Sequence, residues 1–175
     1  MSTPRYWDDR SSWFVNLVKT KPILPGLSFP ERSKFEGLEF NYEGDRNASQ
    51  QPHGKGKMKF QNGDIYSGHW FKGKLHGYAS AKILVDGISQ SYKDYTGEFQ
   101  NGKQHGRGKF TWPDGEFYDG QWKYGLFHGH GIYGTPDGLS VSCTFLNGLP
   151  EIGSKCQVVT PEIMPLNFSQ TRALL

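Results

Sequence analysis

Four histidines stand at equivalent places in this chain, His53, His76, His105 and His128, each followed by glycine. Imidazoles in register are raw material for a metal site. If they occupy the same place in successive hairpins, neighbours sit two strands apart, roughly 9 to 10 Å. Ligands of one zinc must each approach to about 2 Å. The four therefore cannot share an ion and read as structural residues of the turns. His128 and His130 are closer in sequence, but alternate positions of a strand point them to opposite faces.

A second candidate is basic. Lys55, Lys57, Lys59, Lys82, Arg107 and Lys109 fall at alternate positions, a column that alone would suggest binding of phosphate or an anionic lipid. Glu43, Asp45, Glu98 and Asp119 fall on the same face between them. Opposite charges side by side across strands pair with one another, which argues for a solvated, self-compensated face. It also argues against single-stranded nucleic acid, which needs rings and uncompensated positive charge along one groove. No Cys-x-x-Cys pair, no Gly-x-x-x-x-Gly-Lys-Ser/Thr phosphate cradle and no Ser, His and Asp set outside the repeat pattern is present. The expectation is a non-enzyme with no cofactor and no metal.

The elements that must carry these residues are repeated. YTGEFQNGKQHGRGKFTWPDGEF, from Tyr95, and YDGQWKYGLFHGHGIYGTPDGLS, from Tyr118, share Tyr-x-Gly-x-aromatic, then Gly, His-Gly-x-Gly and Pro-Asp-Gly over 23 residues. Earlier copies begin at Tyr66 and Tyr42, and a broken fifth at Val141. An internal period of this length means an array of identical units. Tyr, Gly and Trp or Phe at i, i+2 and i+4 share one face of a strand. Asn62-Gly63, Asn101-Gly102, Asp114-Gly115 and Asp137-Gly138 are hairpin turn signals. The recurrent glycines imply that a ring or another backbone lies against them, most simply the Tyr and Trp of a neighbouring hairpin.

Tyr-x-Gly-x-Trp-x-x-Gly-x-x-His-Gly-x-Gly at this spacing resembles the MORN (membrane occupation and recognition nexus) repeat, over Tyr42 to Gly148. The resemblance implies an all-β fold: an elongated, single-layer, twisted antiparallel sheet, one hairpin per repeat, used to bind or scaffold proteins. Departures from the pattern fall at Ala79, at Asp45 and Arg46, and at Val141 and Cys143.

Only 35% of residues are hydrophobic, but 15% aromatic and 23 glycines suit a thin sheet held by stacked rings. The net charge of +3 does not call for nucleic acid or acidic lipid. Two cysteines without a signal peptide give no disulfide framework, and no apolar run approaches the roughly 20 residues of a membrane span. The expected location is cytoplasmic. The repeat sheet is expected over 35–153. Residues 1–34 form an N-terminal extension with a short helix carrying Trp13, Phe14, Leu17 and Val18, and 154–175 an extended tail lying on another surface.

A one-layer sheet leaves Tyr66, Trp70, Tyr95, Phe99, Tyr118 and Trp122 exposed unless something covers them, and apolar surface of that size marks a binding site. The expected role is a scaffold whose aromatic groove receives a helix or peptide of a partner protein. By resemblance, the setting is a cilium or flagellum axoneme, in a radial-spoke-like piece, or the cytoskeleton. The alternatives are a peripheral membrane adaptor reading phosphoinositides through Lys55, Lys57, Lys59, Arg107 and Lys109, and an accessory subunit of a lipid kinase or methyltransferase. The strand edges leave room for a homodimer.

Overall fold

The computed structural model describes residues 39–159. The expected N-terminal helix and most of the C-terminal tail lie outside them. The described residues form one antiparallel sheet whose strands follow chain order. They are β1 (Phe40–Arg46), β2 (Pro52–Phe60), β3 (Ile65–Phe71), β4 (Lys74–Asp86), β5 (Ser91–Gln100), β6 (Lys103–Thr111), β7 (Phe117–Lys123), β8 (Leu126–Gly134), β9 (Ser140–Leu146), β10 (Leu149–Pro150) and β11 (Gln157–Val159).

Two turn chemistries alternate down the sheet. On one side, Lys72-Gly73, Asn101-Gly102, Tyr124-Gly125 and Asn147-Gly148 all have positive φ at both residues, the type I′ geometry that matches the twist of two-residue hairpins. The amide of each of these glycines donates to a carbonyl of the preceding hairpin, as in Gly125 to Gln104 at 2.9 Å and Gly148 to Phe127 at 2.9 Å. On the other side, Gly63, Gly115 and Gly138 close longer turns, the last two after Pro-Asp.

His-Gly-x-Gly is a bulge. Gly97 pairs with Gly108 and Phe99 with Gln104, so two steps on β5 oppose four on β6. The same offset recurs between Gly120 and Trp122, Gly68 and Trp70, and Gly44 and Arg46. The first glycine of the motif takes the left-handed backbone the bulge requires, with φ 59° at Gly106.

The second glycine makes room for a tyrosine of its own unit, not of a neighbouring hairpin. A Cβ at Gly56, Gly108 or Gly131 would stand 2.5 Å from Cζ of Tyr42, Tyr95 or Tyr118 respectively. Each hydroxyl crosses its glycine pair and donates to the carbonyl three residues on: Tyr42 to Asp45 at 2.8 Å, Tyr95 to Glu98 at 2.9 Å and Tyr118 to Gln121 at 2.9 Å.

Two further findings correct the sequence reading. Cys143 on β9 and Cys156 form a disulfide, their Cα atoms 4.4 Å apart. The chain turns back after β10 and lays β11 beside β9, from Gln157 opposite Ser142 to Val159 opposite Ser140. That return brings the cysteines together, and neither was legible as a partner from spacing alone. The same return carries the sheet to Val159, past the expected boundary at 153.

Candidate functional site

The two faces of the sheet divide the expected site residues between them. Tyr66, Trp70, Tyr95, Phe99, Tyr118 and Trp122 share one face with Met58, Phe60, Phe110, Phe127 and Phe145, as the repeat predicted. They are not open surface: Trp122 is 5% exposed and Tyr95 0%. The expected aromatic groove is therefore corrected to a core. Its rings interlock, Tyr118 stacking on Phe127 at 3.8 Å and standing edge-on to Trp122 and Phe145 at 5.2 Å. Tyr95 meets Trp122 edge-on at 5.2 Å across the unit boundary. The indole nitrogens tie each unit to the one before, Trp70 donating to the Gly56 carbonyl at 3.0 Å and Trp122 to that of Gly108 at 2.8 Å. Burial raises the pKa of the Tyr66, Tyr95, Tyr118 and Tyr133 hydroxyls well above the ordinary tyrosine value, with Glu98 adding to the effect at Tyr95.

The opposite face carries the charges. Lys55, Lys57 and Lys59 are exposed on β2, and Arg107 and Lys109 on β6. Three strands lie between those two, so the groups are roughly 19 Å apart and do not form one column. Lys57 faces Glu43 and Lys109 faces Asp119 in the strand register, and Lys109 also lies over the Phe117 ring at 4.5 Å. Lys82 and Asp94 form an exposed ion pair at 3.7 Å.

Two of the acids expected to neutralise lysines do something else. The Lys55 amide donates to the Asp45 carboxylate at 3.1 Å, and the Arg107 amide to Glu98 at 3.0 Å. In the fourth unit the His130 amide donates to the Gln121 side chain at 3.0 Å. The residue before the aromatic thus closes the bulge. This role was missed in sequence, although Asp45, His69, Glu98 and Gln121 are all hydrogen-bonding residues at that one place.

Three of the four histidines pack against rings of the type I′ turn side. His53 lies 5.3 Å from Phe71, His76 5.7 Å from the same ring, and His105 5.4 Å from Tyr124. Among the described residues no three His, Cys, Asp or Glu side chains are grouped to hold a metal ion.

Between the two basic groups lies a shallow hollow of about 730 Å³. Ser67, Ser80 and Thr96 face one another along successive strands to make its floor; Glu43, Lys55, Lys57 and Tyr78 stand around it. None of these three hydroxyl residues stood out in sequence, since small polar residues on a strand carry no signal until neighbouring strands align them.

Comparison with known proteins adds the following. The MORN repeat model matches residues 51–65, 66–80, 95–117 and 118–140. The chain is 46% identical over 63 residues to the inactive protein tyrosine kinase pTKL of Plasmodium berghei, covering 36% of this chain and 4% of that protein. It is 33% identical over 78 residues to Alsin of Rattus norvegicus and of Homo sapiens, covering 45% of this chain and 5% of theirs. The chain thus spans only about a twentieth of the length of these relatives.

Proposed function

This chain carries MORN repeats at four places, and from that premise we propose that it is a non-catalytic scaffold that binds a partner protein. The supporting observation is the division of labour between the faces. The rings of the aromatic side are buried, while the polar side presents an open hollow on a backbone pinned at the bulges of β1, β5 and β7. A rigid platform with a shaped, partly charged surface holds a ligand without reorganising.

The test fills the hollow without touching the core. Ser80→Arg and Thr96→Arg project from the polar face, so the sheet keeps its melting temperature. Partner capture from the native tissue, read by cross-linking and pull-down, should be lost in both. Normal capture by both variants would place the interface elsewhere.

The setting we propose is an axonemal or other cytoskeletal assembly, supported by the resemblance of the repeats. A tagged chain should stay with the axonemal pellet when ciliated cells are extracted with non-ionic detergent; release with the membranes would refute it. A second reading, a peripheral membrane adaptor, is favoured by one observation: Lys55, Lys57 and Lys59 are all exposed on one strand. It predicts binding to anionic vesicles that salt weakens and that Lys57→Glu with Lys59→Glu abolishes. Absence of binding at low salt would dismiss it.

A further inference from the structure

The two ends of the sheet are finished differently. At the far end, β10 pairs with one half of β9 and β11 with the other. The Cys143–Cys156 disulfide holds them there, with the Glu151 amide donating to Thr144 at 2.9 Å and the Ser140 hydroxyl to Val159 at 2.9 Å. At the near end, β1 pairs with β2 only, among the described residues. The Gln61 amide donates to the Glu39 carbonyl, which fixes the alternation: Asn41 and Glu43 exchange bonds with β2. The amides and carbonyls of Phe40, Tyr42 and Gly44 then point away from the sheet. A seven-residue strand paired on one side only among the described residues is a template for another strand.

We propose that this edge binds a second copy of the chain, β1 against β1 in antiparallel pairing about a two-fold axis at Tyr42. Two features of the strand select that occupant and that register. First, Tyr42 at the centre sets Phe40 opposite the partner copy's Gly44, so all six outward amides and carbonyls on each side of the axis are used. Second, an aromatic opposite glycine is the pairing this sheet already makes between units: Gly54 with Trp70, Gly77 with Phe99, Gly106 with Trp122 and Gly129 with Phe145. Phe40, 53% exposed in the single chain, finds the same neighbour across the axis. In this register Asn41 faces the partner copy's Glu43. Among the described residues the β9 edge is covered by the short β10 and β11, so pairing through the longer β1 edge gives a closed pair and not a fibre.

The test uses the full chain. Its mass by sedimentation should rise from 19.8 kDa towards twice that value with concentration, and the Phe40, Tyr42 and Gly44 amides should gain hydrogen-exchange protection over the same range. Asn41→Glu faces Lys59 within its own sheet, so the fold is kept, but across the axis it meets Glu43 twice. Two like-charge pairs should weaken the dimer about tenfold. Asn41→Lys meets the same Glu43 and should tighten it. A monomer up to the solubility limit, equal effects of the two Asn41 variants, or assemblies larger than two would each overturn the proposal.

Discussion

Tyr95 and Gly108 occupy the same space. A Cβ on Gly108 would stand 2.5 Å from Tyr95 Cζ, and the hydroxyl reaches past the glycine to the Glu98 carbonyl. The strand glycines, which normally weaken a sheet, are here the floor on which its core rings rest. Gly108→Ala should therefore displace a ring that is fully buried and cost about 1–3 kcal/mol through overpacking. Urea unfolding measures it; an unchanged midpoint would mean that the ring does not need the glycine.

This relation also marks how far the sequence could be read. The period of Tyr, Gly and Trp located the strands, their shared face and the turns, because one side chain in two must face a core in a hairpin array. It mislocated what the rings rest on, because register between strands decides whether Tyr95 meets Gly108 of its own hairpin or a glycine of the next. The aromatic face read as a groove because a one-layer sheet was counted as having nothing to cover it. The rings are buried, and neighbours interlock, as Tyr118 does on Phe127. Asp45 and Glu98 read as partners for lysines, since a bulge that frees a backbone amide is not visible in a charge pattern. The disulfide depended on a reversal of the chain after β10 that no spacing rule gives.

Gln104 is fully buried, and neither atom of its amide has a hydrogen-bond partner. Leu75 and Phe127 hold the equivalent place opposite Trp70 and Trp122, so the position is apolar in two of the units. Gln104→Leu should stabilise the sheet by about 1–3 kcal/mol, the usual cost of an unsatisfied buried polar group. A lower unfolding midpoint in the variant would show that the amide is satisfied in solution.

The buried tyrosines predict how the sheet fails in base. Tyr66, Tyr95, Tyr118 and Tyr133 have pKa values raised above 10.0, chiefly because burial disfavours the phenolate. The unfolded chain releases these protons near pH 10 and the folded sheet keeps them. The stability they carry is thus whole below pH 10 and lost above it, by up to about 1.4 kcal/mol per pH unit for each group. Tyrosinate absorbance and sheet circular dichroism should change together in one cooperative step. Full ionisation with the sheet intact would contradict the burial.

The last prediction concerns the end that the disulfide closes. Residues 144–155 lie between Cys143 and Cys156, a short loop whose cross-link stabilises by about 3 kcal/mol in the chain-entropy account. The three residues of β11 are all exposed, so little besides the bond and the ladder holds them to β9. Cys156→Ser should leave the rest of the sheet paired but raise hydrogen exchange at Ser142, whose amide faces Gln157 of β11, and at Gln157 and Val159. A dithiol reductant should reproduce the change in the unaltered chain. If exchange at these amides stays slow in both cases, the ladder alone seals the edge and the disulfide is dispensable to it.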